Sequence, residues 1–395
     1  MRAARILRDK IGQDLHFLHA KRAEAFWRAV SGVMLGGQLW LTALGRSLPG
    51  NCNDKHRIKA VDRLLGSEAI HRAHLEIYAA LARLVLRGVA RPTIAVDWTG
   101  VTSEFYGLSA TVCFSGRALP LLTCIYPKEL KCSPKAHRDF LAKLYRVVPH
   151  SCKPTILTDA GFYSSWFEGV RALGWDFVGR VRNSKHRVRQ GDRWMPVRDV
   201  YALASRQPKD LGELALRKSN PATFRFVLSA ARRTKGRKRL TRSGTVGRNT
   251  ADRQRTDQAR EPWLLATSLS NPAATVVALY GKRMQIEEKF RDLKSHRHGW
   301  SLEDIRCRSA KRIEVMLLVA AFAAIATHTV GLAAQRHGMQ VGLQANTLRT
   351  RPVFSTFFLG RLILRRCTHD ELSKASLCWG YRRLAAIVLA ASVPG

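Results

Sequence analysis

The sequence predicts an α/β protein with a mixed core and helical regions at both ends. Three observations predict it. Short β-rich runs and helical runs alternate between residues 93 and 181 in the order β-β-β-α-β-α-β. Apolar residues at helical spacing dominate before about residue 85 and again beyond about 310. A polar, cation-dense segment, 183–262, interrupts the core before strand texture resumes. With 395 residues, 46% hydrophobic and 24% charged, the chain can bury a sizeable core across two or three domains. Disordered tails, collagens and small disulfide-stapled folds are excluded.

From the N-terminus, Ala23 to Leu44 carries helical spacing, Pro49-Gly50-Asn51 breaks it, and HRIKAVDRLL from His56 resumes it with basic residues outward. Short helices around a Gly/Pro/Asn turn, rich in Lys and Arg, fit a helical DNA-binding domain over residues 1–85. The texture changes at Arg91. TIAVD (93–97) is a β run ending in an acid, and the runs 107–114 and 119–126 form a hairpin across Ser115-Gly116-Arg117-Ala118. A helix follows over 136–148. TILTD (155–159) is a second β run ending in an acid; a helix over 164–173 and a strand over 176–181 complete the order. Residues 183–262, with the cationic run ARRTKGRKRLTRSG (231–244), read either as solvated, mobile loops or, at least as well in so basic a chain, as a nucleic-acid-contacting insertion. WLLAT (263–267) is again a strand, and one long helix is expected from about Pro272 to His296. Val315 to Ala334 is long enough to cross a membrane, but Thr327, His328 and Thr329 interrupt it and small alanines dominate, so a buried core helix is expected. Apolar helices mixed with Arg clusters, among them Arg361, Arg365 and Arg366, fill residues 335–395.

The charge narrows the function. The chain carries 67 Lys and Arg against 29 Asp and Glu, a formal net charge of +38. So basic a globular protein repels itself unless an anionic partner covers it, and a phosphate backbone gains affinity with each neutralised phosphate. The eight cysteines form no CxxC and no zinc spacing, and read as buried thiols of a reducing compartment. The N-terminus shows no apolar signal region. These readings lead to a cytoplasmic, nucleoid-associated protein with no membrane partner.

Acids are scarce, so those at strand ends stand out. Asp97 and Asp159 each close an apolar strand run before a polar turn. Two carboxylates held close repel unless a proton or a cation lies between them, and hard divalent cations take oxygen ligands and suit phosphate chemistry. Either acid alone would read as a cap for the next turn. The expected long helix supplies a third element: Tyr280, Arg283, Glu287 and Lys294. At about 100° per residue they fall at 0°, −60°, −20° and −40°, a single stripe about 60° wide, while Glu288 points elsewhere. One carboxylate, two cations and a phenol are what a metal-bound phosphate needs around it. His137, His150, His296 and His298 have no partner at ligand spacing and read as ordinary histidines.

Tyr-x2-Arg-x3-Glu-x6-Lys resembles the YREK signature of bacterial insertion-sequence transposases. Asp97-Trp-Thr and Thr158-Asp159-Ala-Gly-Phe resemble the contexts of that family's first two catalytic aspartates. Stretches such as KHRIKAVDRLLG (55–66), GFYSSWFEGVRALGW (161–175), EPWLLATSLSNP (261–272) and QANTLRTRPVFST (344–356) carry the resemblance nearly end to end. The chain is similar to DDE cut-and-paste transposases of the insertion-sequence-4 family, and most to the transposon-ten type. The resemblance implies a ribonuclease-H-like catalytic core (90–182 and 263–330), a basic β-rich insertion (183–262) and a helical C-terminal region (335–395) for dimerisation and DNA contact. The gaps agree: 62 residues separate Asp97 from Asp159 and 128 separate Asp159 from Glu287, too long for one helix, one strand and short loops.

The resemblance further implies that Asp97, Asp159 and Glu287 hold two Mg²⁺ ions, with Mn²⁺ able to substitute, for phosphoryl transfer on double-stranded DNA. The implied reaction nicks the element's terminal inverted repeats, forms and reopens a hairpin, and joins the 3′ ends to target DNA in a homodimeric paired-end complex. Arg283 and Lys294 would grip phosphates, Tyr280 would contact phosphate, Trp263 would stack on a flipped base, and Met284 would wedge beside it. Arg180, Arg182 and Lys185 would touch the backbone. A metal-dependent nuclease on the same core, or a catalytically silent DNA-binding relative, are the alternatives; the presence of all three acids and the full signature argues against the second.

Overall fold

The computed structural model describes residues 1–182, 187–219, 221–230, 261–345, 351–366 and 371–392. Lys185 and the cationic run 231–244 lie outside the described residues. The chain forms two compact units: Met1–Pro154 with Arg283–Gly395, and Thr155–Lys282. The division falls at other positions than the domain limits drawn from sequence texture.

The first unit opens with six helices: α1 (Arg2–Ile11), α2 (Ala20–Gly36), α3 (Leu41–Arg46), α4 (Asp54–Leu65), α5 (Glu68–Arg72) and α6 (His74–Val85). The run expected from Ala23 to Leu44 is therefore broken. Gly37, at φ 64°, takes the left-handed conformation and returns its N–H to Val33 O. A Cβ at Gly37 would also meet the Arg361 guanidinium at 2.9 Å. Strands β1 (Thr93–Gly100), β2 (Phe105–Phe114) and β3 (Arg117–Pro127) follow as an antiparallel meander. Ser115 and Gly116, both at positive φ, make the two-residue turn whose twist matches its flanking strands. Helix α7 (Pro134–Val147) starts where Ser133 Oγ accepts the Ala136 amide and Pro134 occupies the first turn.

The second unit contains β4 (Thr155–Thr158), α8 (Ser164–Ala172), β5 (Asp176–Val181), β6 (Arg187–Gln190), β7 (Arg193–Pro196), α9 (Val197–Val200), β8 (Lys209–Leu216), β9 (Ala222–Ser229), β10 (Trp263–Thr267) and α10 (Ala273–Gly281). Its strands lie in the order β4-β5-β10-β9-β8-β6-β7, with β4 and β5 parallel and the other pairs antiparallel. Strands β6 to β9 continue the sheet through the β9–β10 pair. Phe167 stacks on Phe177 at 4.8 Å, and Phe224 meets both rings edge-on, making the unit's aromatic core.

The chain returns to the first unit with α11 (Gln285–Lys294), α12 (Ala310–Arg336), α13 (Thr356–Arg365) and α14 (Lys374–Ala391). Helix α12 is buried without a break from Ile313 to Ala334, so the apolar stretch that raised a membrane reading is this unit's central helix. Its small residues permit close packing. A Cβ at Gly331 would lie 1.8 Å from the Thr356 carbonyl, and one at Gly360 would lie 2.0 Å from the Thr327 carbonyl. Phe322 of α12 meets Phe26 and Trp27 of α2 edge-on at 5.0 and 5.6 Å. Glu314 enters the same core because its Oε1 accepts the Ile125 amide at 2.9 Å, and burial raises its carboxyl above the usual range.

The thiols differ from expectation. Cys113, Cys124 and Cys152 are buried, but Cys132, Cys307 and Cys378 are half-buried and Cys52 is exposed; Cys367 lies outside the described residues. Periodicity marks which runs pack, and an isolated thiol at a turn carries no such signal.

Candidate active site

The part of the site in the first unit is built on β1 and α11. Thr93 to Val96 are fully buried, and Asp97 is the first residue of β1 to reach solvent. The strand runs on to Gly100 and pairs Asp97 with Ser109, so this acid sits within the strand and not at its end as expected, because the ladder with β2 continues past the apolar run. Its Oδ1 accepts the Trp98 amide at 2.7 Å, and its Oδ2 lies 3.2 Å from Arg283 Nη1. The same guanidinium donates through Nη2 to Glu287 Oε1 at 2.9 Å. One cation thus bridges two acids 190 residues apart in sequence. The side chains of Asp97 and Arg283 are 15% and 12% exposed and that of Glu287 is 46% exposed, so the pair opens to solvent on the glutamate side.

Neighbouring contacts hold this arrangement. Gln285 Oε1 accepts the Phe114 amide at 2.8 Å, tying the start of α11 to the end of β2. Glu288 turns away from Glu287, as its offset predicts, and pairs with Arg117 and Arg291. Trp98 Nε1 donates to His137 Nε2 at 3.1 Å, which requires a neutral imidazole, and burial pushes His137 down to about 4. Trp98 and His137 thereby fix the backbone on which Asp97 sits. Sequence reading passed over Gln285, Arg117 and Trp98; Trp98 had a signal, its position next to the acid that closes the apolar run.

The expected long helix is not continuous. Its α-helical parts end at Gly281 and begin again at Gln285, with a 3₁₀ turn at Lys282–Met284 between them, and the second part ends at Lys294. Three residues at the tighter 3₁₀ pitch break the strict 100° count, so the four-residue stripe does not exist as drawn. Glycine at 281, a poor helix former, sits at this break. The Arg283–Glu287 pair survives because it spans a single turn. Lys294 is half-buried in the last turn of α11, and burial lowers its ammonium from the usual range. Met284 is 48% exposed, with its sulfur 3.4 Å from Arg283 Nη2.

The second unit carries the remaining residues. Asp159 directly follows β4, and its Oδ1 accepts the Gly161 amide at 2.7 Å, closing an Asx turn. Trp263 opens β10 half-buried and meets Tyr280 edge-on at 4.9 Å. Tyr280 itself is buried at 3% exposure, a packing position. Arg182 Nε donates to Glu261 Oε2 at 2.5 Å, and Arg180 Nη2 donates to the Glu261 and Pro262 carbonyls at 3.3 and 3.5 Å. Both arginines thus brace the entry to β10.

Among the described residues, no three His, Cys, Asp or Glu side chains stand close enough to hold a metal ion together. The donor chemistry still fits a hard divalent cation. The three acids offer only carboxylate oxygens, and Asp97 and Glu287 already share a positive charge.

An α/β fold with acids on or directly after strands and on a later helix is the arrangement of polynucleotidyl transferases of ribonuclease-H-like architecture. The family model for the transposase DDE domain matches residues 90–325, more than half of the chain, and the chain belongs to that family. It is an enzyme of DNA transposition that binds DNA, and members of its family generally use divalent metal ions. No curated protein matches the chain.

Proposed function

We propose that the chain carries out cut-and-paste transposition of a bacterial insertion sequence of the insertion-sequence-4, transposon-ten type. It recognises terminal inverted repeats partly through residues 1–85, frees each end through a hairpin, and joins the 3′ ends to target DNA as a homodimeric paired-end complex. Its place is the bacterial cytoplasm, at the nucleoid. One observation carries the reading: Asp97 and Glu287, distant in sequence, converge on one cationic group.

Asp97, Asp159 and Glu287 would hold two Mg²⁺ ions, with Mn²⁺ able to substitute. When bound, these supply activation of the attacking oxygen and neutralisation of charge on the leaving oxygen. The chain's own side chains do the rest. Arg283, released from its acids, and Lys294 hold the phosphates flanking the scissile bond. Trp263 stacks on a base turned out of the duplex, and the exposed Met284 supports the space it leaves. The Tyr280 ring keeps Trp263 oriented, and its hydroxyl reaches phosphate only where the Trp263–Tyr280 packing opens. Arg180 and Arg182 contact the backbone through donors not used on Glu261, and Lys185 follows them in sequence.

The test is a strand-transfer assay on paired element ends in Mg²⁺. Asp97→Asn, Asp159→Asn and Glu287→Gln each abolish nicking and joining while DNA binding survives. Near wild-type cleavage by any of the three removes that residue from the site. Cleavage by the wild type without joining would make the chain a nuclease instead.

A further inference from the structure

A groove of about 800 Å³ in the first unit lies apart, in the chain, from the three carboxylates. It is within the range of ligand-binding clefts. Its apolar floor includes Leu65 and Met316, both buried, and the half-buried Trp40 at the start of α3. Its rim carries Arg306 and Arg308, both exposed, in the segment that leads into α12. Among the described residues, neither arginine has an ion-pair or hydrogen-bond partner. Arg312, also on the rim, is paired with Asp62, so it adds little free charge. Asp304, a rim carboxylate, lies 3.2 Å from His296 Nδ1.

The combination selects an occupant. Paired duplex backbone would use the arginines and leave the apolar floor wet. A purely apolar partner would cover the floor and strand two guanidiniums. A nucleotide turned out of its stack satisfies both, with phosphate on the cations and a flat base against tryptophan and aliphatic side chains. We propose that this groove is a DNA site for an unstacked nucleotide, its phosphates on Arg306 and Arg308 and its base against Trp40. The inference rests on the family's action on DNA and on none of the three acids.

The experiment measures affinity of the full chain for three labelled DNAs of scrambled sequence: a duplex, the same duplex with one unpaired base, and a single strand. It is run in EDTA, so catalysis plays no part. Replacing Arg306 and Arg308 together by alanine should lower the slope of log affinity against log salt by about 2, at about 0.9 per lost phosphate contact. The same change at Arg5 and Arg8, exposed on α1, should lower it less. Trp40→Ala should weaken the single strand and the unpaired-base duplex by about 5- to 150-fold and spare the paired duplex, while Trp40→Phe retains most binding. Circular dichroism and urea midpoints establish folding, and the arginine pair against its α1 control carries the test if Trp40→Ala does not fold. An unchanged slope, equal losses for the two arginine pairs, or equal losses on paired and unpaired DNA overturns the proposal. A changed oligomeric state with unchanged DNA affinity also overturns it and makes the groove a protein-docking surface. Loss of all DNA binding by the wild type would sink the transposition reading itself, a distinct outcome.

Discussion

Arg283 meets Asp97 at 3.2 Å, a contact between the turn before α11 and the middle of β1. Because the same guanidinium also holds Glu287, it keeps two carboxylates near each other without their mutual repulsion. A divalent cation would relieve the same repulsion. On the proposed metal assignment, the arginine and a divalent cation would compete for the two acids.

Arg283→Ala tests that competition. It should lower stability by about 1.5–3 kcal/mol, the worth of hydrogen bonds to charged groups. Added Mg²⁺ should then raise the urea midpoint more in the variant than in the wild type. Equal shifts would mean that Asp97 and Glu287 do not share the ion.

Trp263→Ala should leave first-strand nicking largely intact and impair hairpin formation, with Phe or Tyr restoring part of it. It should also cost the edge-on contact with Tyr280, about 0.5–1.5 kcal/mol beyond area burial. A time course on end-labelled DNA resolves nicked, hairpin and opened products. Equal hairpin rates for wild type and variant would leave Trp263 a packing residue and pass the role to Met284.

His137 should make the fold acid-sensitive. Its pKa falls from 6.5 unfolded to about 4 folded, so the folded state binds fewer protons between those values. Its contribution is complete above pH 6.5 and is lost as pH falls towards 4, to a total of about 3 kcal/mol. Buried His328, pushed down to about 3, acts in the same direction. His137→Gln, which can still accept from Trp98, should flatten part of the loss between pH 7 and 4.5 in urea titrations. A profile parallel to wild type would contradict the assignment.

Lys289 should be replaceable at a gain. It is buried on the inner face of α11, its Nζ 3.4 Å from Ser109 Oγ, and burial lowers it from 10.5 to about 7. The folded state binds fewer protons between those values, so the penalty is absent above pH 10.5, grows as pH falls, and is complete below about 7. Lys289→Met should therefore stabilise by about 1–4 kcal/mol near neutral pH and by less at pH 10. Loss of stability at both pH values would show that the ammonium is well solvated by its hydroxyl neighbours.

Much of the fold was legible. The β-β-β-α-β-α-β order and the buried helix over 315–334 follow from local apolar spacing, which each segment carries in itself. Where reading failed, the cause was local as well. A helix count at constant pitch does not see a 3₁₀ turn at Lys282–Met284, and a helical pattern across Gly36-Gly37 does not see a left-handed cap.

Short-range sequence pattern is enough to place the class of protein. The acids Asp97 and Asp159 that close apolar runs, the Arg283–Glu287 turn and the +38 charge are chemical facts readable at short range. Only the tertiary structure decided that Asp97 and Glu287 share one guanidinium, that Arg180 and Arg182 spend donors on Glu261 and its neighbour Pro262, and that Trp40 lines a groove with Arg306 and Arg308. Spacing along a helix or strand fixes neighbours within a few residues. Which residue meets another 190 positions away depends on how strands pair and helices pack, and that choice is made by the burial of the whole chain.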